Sequence, residues 1–417
     1  MTKLIINGGA RLEGELVIQG AKNAALPVFA AALLTEEPVI IYNWPAISDV
    51  YNMLSILEYI GAHVEYEKDR LVIDTRRAQR WEMPDRLAKE IRSSIFMMGP
   101  ILARFRMARF VYPGGCEIGS RPIDLHLRGL KSLGVNVTEA SGHIMCEGRR
   151  LKGGDVHLDY PSVGATENLM MAASLAPGRT VIHNAAREPE IVELQSVINQ
   201  MGGEISGAGS STILIEGKER LNGFTYRCIP DRIVAGTYMV AAVVTNGSIT
   251  LRNVVPEHLF ATTSKLREAG AIIKVYEDAL TIQAQGRPKE MHLIETGPYP
   301  SFPTDMQAQM CTAASIARGT SIIVESVFDN RFKHVGELLR MGANIVTKNN
   351  VAVIKGVERL HGAEVKSMDL RGGAALVLAG LCADGTTIVD QARIIDRGYE
   401  TFESDLKALG ADIRRED

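Results

Sequence analysis

The sequence is poor in cysteine and has no long apolar run. Its five cysteines form no C-x-x-C pair, which argues against a disulfide framework and a structural zinc site and favours a reducing compartment. The longest apolar stretch, residues 24–34, is too short to cross a membrane. The first residues, MTKLIINGGA, show no basic region followed by an apolar run, so we expect the protein in the cytoplasm.

An excess of positive charge is also missing. The chain carries 46 Lys and Arg against 49 Asp and Glu, so no global positive field can hold nucleic acid or an anionic membrane. Any anion site must therefore be built locally. The Walker loop, the G-x-G-x-x-G fingerprint after a strand and the G-x-S-x-G elbow are missing too, so nucleotide triphosphatase, Rossmann and hydrolase functions lack motif support.

What the sequence does contain is one pattern repeated six times. An amphipathic helix ends at a glycine and an alternating strand follows, at intervals of about 70 residues. Glycine is expected at the helix end because a helix commonly closes through a left-handed residue. The pattern glycines are Gly61, Gly134, Gly202, Gly270, Gly342 and Gly410.

Each repeat also contains a second helix that is apolar nearly all round. Examples are AALPVFAAALL in the first copy and GGAALVLAGLC in the last. We expect these helices to be wholly buried beneath the strands of their repeats. Six such units in 417 residues predict an α/β fold of two domains with three repeats each.

Charged and polar residues recur at the starts of these buried helices. Helix N-termini present free N–H groups and a partial positive charge, so the six starts would bind anions if they converge. Simpler interpretations are a solvated lysine, surface salt bridges for the arginines and ordinary N-caps for the aspartates. The residues are Lys22-Asn23, Arg92, Ser162-Val163-Gly164, Asp231-Arg232, Asp305 and Asp369-Leu370-Arg371.

The segment from Tyr112 to His126 combines three glycines, two prolines and one cysteine, Cys116. Such a loop would display the thiol, and a nearby Arg121 could lower its pKa and make it an acid or a nucleophile. The alternative is a turn with an incidental cysteine. The other four cysteines lie in apolar helices or near strands and are interpreted as structural. His126 has no second ligand at useful spacing, so no metal is predicted.

Six motifs together resemble the UDP-N-acetylglucosamine 1-carboxyvinyltransferase family of the EPSP synthase superfamily, over the whole chain. They are GAKNA (20–24), PGGCEIGSRPIDLH (113–126), SVGAT (162–166), FPTD (302–305), DLR (369–371) and DRGYE (396–400). The resemblance implies a two-domain inside-out α/β barrel, the enolpyruvyl transferase fold. One domain would be residues 21–230, the other residues 1–20 plus 231–417, with the active site in the cleft between them.

The resemblance also implies a reaction that needs no cofactor. The enolpyruvyl group of phosphoenolpyruvate would pass to the 3-hydroxyl of UDP-N-acetylglucosamine with release of phosphate, the first committed step of peptidoglycan synthesis. The expected partners are these two small molecules, without nucleic acid or membrane. Cys116 would be the acid and would form a covalent adduct with phosphoenolpyruvate, and Asp305 would be the base, with Lys22 and Arg397 completing the catalytic set.

Binding roles follow from the same resemblance. Phosphoenolpyruvate would be held by Lys22, Asn23, Arg121, Arg331, Arg371 and Arg397, with Asp369 in support. The nucleotide sugar would be held by Asn23, Arg92, Arg121, Pro122, Ile123, Asp124, Leu125, Ser162, Val163, Gly164, Asp305 and Val327. Two positions depart from the pattern of some relatives: Tyr160 replaces a lysine and Phe96 replaces a tryptophan.

Three other functions fit parts of the sequence. They are enolpyruvyl transfer to shikimate 3-phosphate, regulation by an inactive protein that binds a UDP-sugar, and a purely structural repeat scaffold. The Cys116 loop favours the nucleotide sugar over shikimate 3-phosphate. The presence of Lys22, Cys116, Asp305 and Arg397 disfavours the inactive protein, and a structural scaffold would not require charged residues at equivalent helix starts. Because the loop carries Cys rather than Asp, the family resemblance predicts covalent inhibition by fosfomycin.

Overall fold

The computed structural model describes residues 2–67, 70–112, 114 and 123–416. They form two compact units, each with its own buried apolar core. The first unit consists of the described residues between 20 and 229. The second unit consists of residues 2–19 and 230–416.

Three sheets of similar topology form the first unit. The first has the strand order Thr225–Arg227, Val39–Tyr42, Arg70–Asp74 and His63–Tyr66. The second has the order Glu204–Ser206, Thr212–Glu216, Arg179–His183 and Asp155–His157, and the third Met107–Val111, His143–Glu147 and Asn136–Ala140. In the first two sheets one short strand is parallel to its neighbour and the other pairings are antiparallel. In the third sheet a parallel bridge from Glu82 to Arg109 takes the place of that strand.

The second unit repeats this topology three times. Its sheets have the strand orders Ile272–Val275, Ala279–Gln283, Ser248–Arg252 and Glu13–Val17; Leu293–Glu295, Thr320–Val324, Val351–Lys355 and Asn344–Lys348; and Glu364–Lys366, Thr386–Asp390, Lys3–Asn7 and Asp412–Glu416. A small parallel pair joins Leu360–His361 to Ala383–Asp384. Strand Lys3–Asn7 is antiparallel to both of its neighbours, so the start of the chain completes a sheet made at its end.

Helices of two kinds alternate with the strands. The apolar helices are Lys22–Ala31, Met98–Phe105, Val163–Ser174, Arg232–Val244, Gln307–Ser315 and Leu370–Cys382. The amphipathic helices are Ser48–Ile60, Asp124–Ser132, Pro189–Gln200, Phe260–Glu268, Val335–Arg340 and Phe402–Ala408, with a short extra helix at Asp85–Glu90. The 3₁₀ helices are Ala32–Leu34, Arg92–Met97, Pro256–Leu259, Thr304–Met306 and Ala392–Arg397.

The six pattern glycines end the amphipathic helices, as predicted. All have a positive φ, between 83° and 114°. At Gly61 the backbone N–H donates to Leu57 O at 3.1 Å, which satisfies one of the free carbonyls at the helix end. A side chain would be strained in this left-handed conformation, so the repeat depends on glycine there.

The apolar helices are buried on all sides, which confirms that prediction. Every residue of Arg232–Val244 except the first is buried, and so is every residue of Leu370–Cys382 except the last. The sheets therefore pack on helices that have no solvated face. Within the described ranges, no helix is both long and apolar enough to span a membrane.

Candidate functional site

The centre of the candidate site in the second unit is the carboxylate of Asp305. Arg331 Nη2 donates to its Oδ1 at 2.7 Å, and Arg371 Nη2 donates to its Oδ2 at 3.3 Å. The two arginine side chains are only 4% and 3% exposed, whereas that of Asp305 is 27% exposed. One accessible carboxylate is thus held between two buried guanidinium groups.

Local structure explains how Asp305 reaches these partners. Asp305 lies in the 3₁₀ turn Thr304–Met306, which precedes the buried helix Gln307–Ser315. Its side chain is not that helix's N-cap. Asp369 behaves differently, because its Oδ1 accepts from the backbone N–H groups of Arg371 and Gly372, both at 3.0 Å. The N-cap interpretation is therefore correct for Asp369 and wrong for Asp305.

Arg371 is oriented by aromatic and backbone neighbours as well. Its guanidinium lies 5.5 Å from the ring centroid of Tyr399. A Cβ placed on Gly398 would lie 3.4 Å from Arg371 Nη1, so the chain next to Arg397 packs against this guanidinium. Burial by itself lowers the pKa of Arg371, but Asp305, Tyr399 and Asp231 together outweigh it and the net shift is upward. Arg371 therefore stays charged.

His334 is a neutral neighbour of the same cluster. It is fully buried, and within the described part of the chain neither ring nitrogen has a hydrogen-bond partner. Burial lowers its pKa to about 4, with Arg331 adding to the decrease and Asp369 opposing it. His334 therefore adds no positive charge to the two arginines at neutral pH.

In the first unit, Lys22 begins its helix beside a buried carboxylate. Lys22 Nζ lies 3.3 Å from Asp49 Oδ2, and the side chains are 13% and 4% exposed. The interpretation of Lys22 as a solvated surface lysine is therefore wrong. Asp49 lies in the first turn of Ser48–Ile60, where a negative charge is also favoured by the helix dipole.

Three further candidate segments of the first unit pack against one another at Gly164. A Cβ there would lie 3.1 Å from His126 Cε1 and 3.3 Å from Phe96 Cε1, so a side chain at this position would press on both rings. The N-terminal ends of the helices at Arg92, Asp124 and Ser162 are thereby held together. Asn23, Leu125 and Val163 are half-buried near these starts, and Ile123 is buried.

Hydrogen bonds reinforce this packing. Asn168 Nδ2 lies 2.9 Å from His126 Nδ1 and donates to Ile95 O at 3.0 Å. Ser162 Oγ accepts weakly from Ala165 N–H at 3.4 Å and caps its helix. His126 is therefore a hydrogen-bonded structural group.

The exposed Asp124 pairs with Arg128. A hydrogen bond from Arg128 is the main cause that lowers the pKa of Asp124. Arg128 Nη1 also donates to Asp159 Oδ2 at 2.6 Å. This candidate carboxylate thus belongs to a surface ion-pair group.

Cys116, Arg121 and Pro122 lie outside the described residues. Gly114, just before them, packs so closely that a Cβ would lie 1.8 Å from Lys89 O. The helix Asp124–Ser132 follows them. Both ends of the candidate cysteine loop are therefore attached to packed structure.

The remaining cysteines fit the structural role predicted for them. Cys146, Cys228 and Cys311 are buried and Cys382 is half-buried. Burial raises the pKa of Cys146 and of Cys382 to about 12, and it also raises that of the other two. These thiols are poor nucleophiles at neutral pH.

Sequence reasoning missed three residues of these clusters: Asp49, His334 and Glu325. Glu325 is 2% exposed and accepts hydrogen bonds around the turn that carries Asp305. It also accepts from the N–H of Val327, a candidate residue of the second unit, at 2.9 Å. A lone charge directly after the apolar strand Thr320–Val324 was the available signal. Among the residues with described positions, no three His, Cys, Asp or Glu side chains are arranged to hold a metal ion.

Comparisons with known proteins agree on one family. Residues 6–406 match the family model of EPSP synthase (3-phosphoshikimate 1-carboxyvinyltransferase). The chain is 53% identical over 415 residues to UDP-N-acetylglucosamine 1-carboxyvinyltransferase 2 of Caldanaerobacter subterraneus, with 100% of both chains covered. It is 48% identical over 417 residues to UDP-N-acetylglucosamine 1-carboxyvinyltransferase of Shewanella amazonensis, again with full coverage.

A solved structure supports the same grouping. The enolpyruvyl transferase NikO from Streptomyces tendae superimposes with a TM-score of 0.89 at 25% identity, covering 99% of this chain and 98% of its own. The predicted α/β fold of the enolpyruvyl transferases is therefore confirmed.

Proposed function

The chain belongs to the EPSP synthase family, and within it to the UDP-N-acetylglucosamine 1-carboxyvinyltransferases, and from this premise we propose how its residues divide the reaction. The enzyme transfers the enolpyruvyl group of phosphoenolpyruvate to the 3-hydroxyl of UDP-N-acetylglucosamine and releases phosphate, a step of peptidoglycan synthesis. Addition and elimination need an acid for the methylene carbon, a base for the hydroxyl and cations for the phosphate and carboxylate groups.

Asp305 is the proposed base. The observation that carries this assignment is the accessible Asp305 carboxylate held by Arg331 and Arg371 at 2.7 and 3.3 Å. The two guanidiniums fix the direction of the carboxylate, as a positioned base requires. The same guanidiniums would bind the anionic groups of phosphoenolpyruvate.

Cys116 is the proposed acid and the site of a covalent adduct with phosphoenolpyruvate. Lys22, Asn23, Arg121 and Arg397 would bind phosphoenolpyruvate beside the two arginines, with Asp369 in support. The sugar nucleotide would contact Asn23, Arg92, residues 121–125, Ser162, Val163, Gly164, Asp305 and Val327. Because these residues are divided between the domains 21–230 and 1–20 plus 231–417, the proposal requires both domains to contribute to one site.

Phosphate release with each acceptor tests the substrate. We expect release with phosphoenolpyruvate and UDP-N-acetylglucosamine and none with shikimate 3-phosphate. The reverse result would favour the EPSP synthase reaction. No release with either acceptor would favour an inactive sugar-binding protein.

Two substitutions test the residue roles. Asp305→Asn should lower kcat about 10²–10⁴-fold. Cys116→Ser should remove the phosphoenolpyruvate adduct, detected by intact-protein mass, and the inactivation by fosfomycin. An Asp305→Asn enzyme with normal kcat, or a Cys116→Ser enzyme that still forms the adduct, would remove the corresponding assignment.

The substrates also suggest where the enzyme acts. We place it in the cytoplasm, where phosphoenolpyruvate is made, and its proposed partners are the two small molecules alone. Fractionation of cells with an antibody against the protein would test this location, and recovery in the membrane fraction would contradict it.

A further inference from the structure

We propose that Glu325 is a positioning residue for the transfer reaction, and that it joins the turn of the base Asp305 to the loop that carries Val327. The inference rests on the proposed function, because it takes Asp305 as the base. Glu325 follows strand Thr320–Val324 and is 2% exposed. A carboxylate at such a position must have its hydrogen bonds supplied by the protein.

One oxygen of Glu325 holds the turn of the base. Thr304 Oγ1 donates to Glu325 Oε2 at 2.9 Å, and Thr304 directly precedes Asp305. The carbonyl oxygen of Thr304 also lies 3.5 Å from Arg331 Nη2, the atom that donates to Asp305 at 2.7 Å. The direction of the Asp305 carboxylate therefore depends on where Thr304 is held.

The other oxygen of Glu325 holds the loop. Oε1 accepts from the backbone N–H groups of Val327 at 2.9 Å and Phe328 at 3.2 Å, and from Thr296 Oγ1 at 2.8 Å. Thr296 Oγ1 in turn accepts from Ser326 N–H at 2.9 Å. The loop 326–328 is thus fixed through its backbone, and its side chains are left for other contacts.

The loop also returns to the base cluster. The Arg331 guanidinium lies 5.6 Å from the ring centroid of Phe328, so a shift of the loop would move a cation that holds Asp305. None of the four donors to Glu325 is charged. A carboxylate, with acceptors only, suits four donors, whereas a glutamine would offer a donor at one of the two positions. The four donors therefore explain why this position carries a glutamate rather than a glutamine.

The sharpest test cuts the Thr304 contact alone. Thr304→Val keeps the side-chain shape and removes the hydroxyl, and we expect kcat to fall about 10–100-fold with the KM for UDP-N-acetylglucosamine within about twofold. The acid limb of the kcat profile should move to higher pH, since a carboxylate held less firmly by cations accepts a proton more readily. Thr304→Ser restores the hydroxyl and should restore both kcat and the pH profile.

Glu325→Gln tests the carboxylate itself. We expect a lower kcat and, because the loop is disturbed as well, a raised KM for UDP-N-acetylglucosamine. The matched control is Thr250→Val, which removes a hydroxyl that pairs with Thr281 Oγ1 at 3.0 Å on another sheet of the same unit. It should leave kcat and the pH profile unchanged.

The outcomes separate this inference from the assignment of the base. If Asp305→Asn abolishes turnover while Thr304→Val and Glu325→Gln keep normal kcat and pH profiles, Glu325 is not a positioning residue and Asp305 stands. If Thr304→Ser is as impaired as Thr304→Val, the hydroxyl is not responsible and the inference is wrong. If Asp305→Asn keeps full turnover, the proposed base fails and the inference fails with it.

Discussion

The two units differ in how they pair the charges of their candidate site residues. In the second unit one carboxylate, Asp305, is shared by two buried guanidiniums. In the first unit one ammonium, Lys22, has a carboxylate partner in Asp49 at 3.3 Å. The first arrangement therefore divides one carboxylate between two cations, whereas the second pairs one carboxylate with one cation.

This difference teaches what each arrangement can do. Two buried guanidiniums that share one carboxylate are both left without it when that carboxylate is removed, which is costly in a buried site. At Lys22 the loss of Asp49 affects a single, partly accessible ammonium. We therefore expect the Asp305 cluster to be the more sensitive of the two to loss of its carboxylate.

Asp305→Asn should have the largest effect on stability. It leaves the guanidiniums of Arg331 and Arg371 buried without their shared anion, and we expect the free energy of unfolding to fall by about 3–5 kcal/mol. Urea denaturation measures it, with the exposed Asp278→Asn as control. Inorganic phosphate should recover part of the loss, since it can replace the missing anion. If Asp305→Asn were as stable as the wild type, the Asp305 cluster would not be more sensitive than the Lys22–Asp49 pair to loss of its carboxylate.

His334 should give the next largest effect, as a dependence of stability on pH. Its pKa is lowered to about 4 by burial, so the unfolded chain binds a proton at His334 that the folded chain does not bind between about pH 6.5 and pH 4. The free energy of unfolding is therefore unaffected by His334 above pH 6.5 and falls as the pH is lowered, by roughly 3 kcal/mol at pH 4.

The variant His334→Gln removes the titrating group and should flatten the curve of unfolding free energy against pH. His361→Gln changes an exposed histidine and should leave the curve as in the wild type. An unchanged slope in His334→Gln would mean that folding does not shift the pKa of His334, so that His334 would add a third cation to the Asp305 cluster at acidic pH.

Asp49→Asn should have a smaller effect than Asp305→Asn. It removes a partner from Lys22 alone, and this partly accessible lysine can turn its ammonium toward water. We therefore expect the free energy of unfolding to fall by about 1.5–3 kcal/mol. Glu58→Gln, an exposed change on the same helix, is the matched control. A loss as large as that of Asp305→Asn in the same urea experiment would contradict the proposed difference between the two arrangements.

The sequence predicted the features whose causes are local. The pattern glycines could be located because a left-handed helix end is a property of a few consecutive residues. The apolar helices could be identified because burial on all sides requires an apolar residue at nearly every position. Together they were sufficient for the α/β repeat fold.

The sequence did not reveal which charges meet. Asp305 and Arg371 are 66 residues apart, and Lys22 and Asp49 are 27 apart, so their pairing depends on how the repeats pack. The position of Glu325 after an apolar strand was visible in the sequence, but its partners are backbone N–H groups and threonine hydroxyls, so the sequence did not show what it contacts. Sequence could place charged residues at helix starts, but only the packing distinguishes the capping Asp369 from the paired Asp305.

The smallest effect concerns the helix caps of the two units. Ser162 accepts one N–H at 3.4 Å in the first unit, whereas Asp231 accepts two, at 2.8 and 3.0 Å, in the second. A cap contributes through the N–H groups it satisfies, and an aspartate also interacts with the helix dipole. In urea denaturation we therefore expect Ser162→Ala to lower the free energy of unfolding by about 0.5 kcal/mol and Asp231→Ala to lower it by about 2 kcal/mol. If Ser162→Ala and Asp231→Ala lowered the free energy of unfolding equally, the negative charge of the Asp231 cap would contribute nothing beyond its hydrogen bonds.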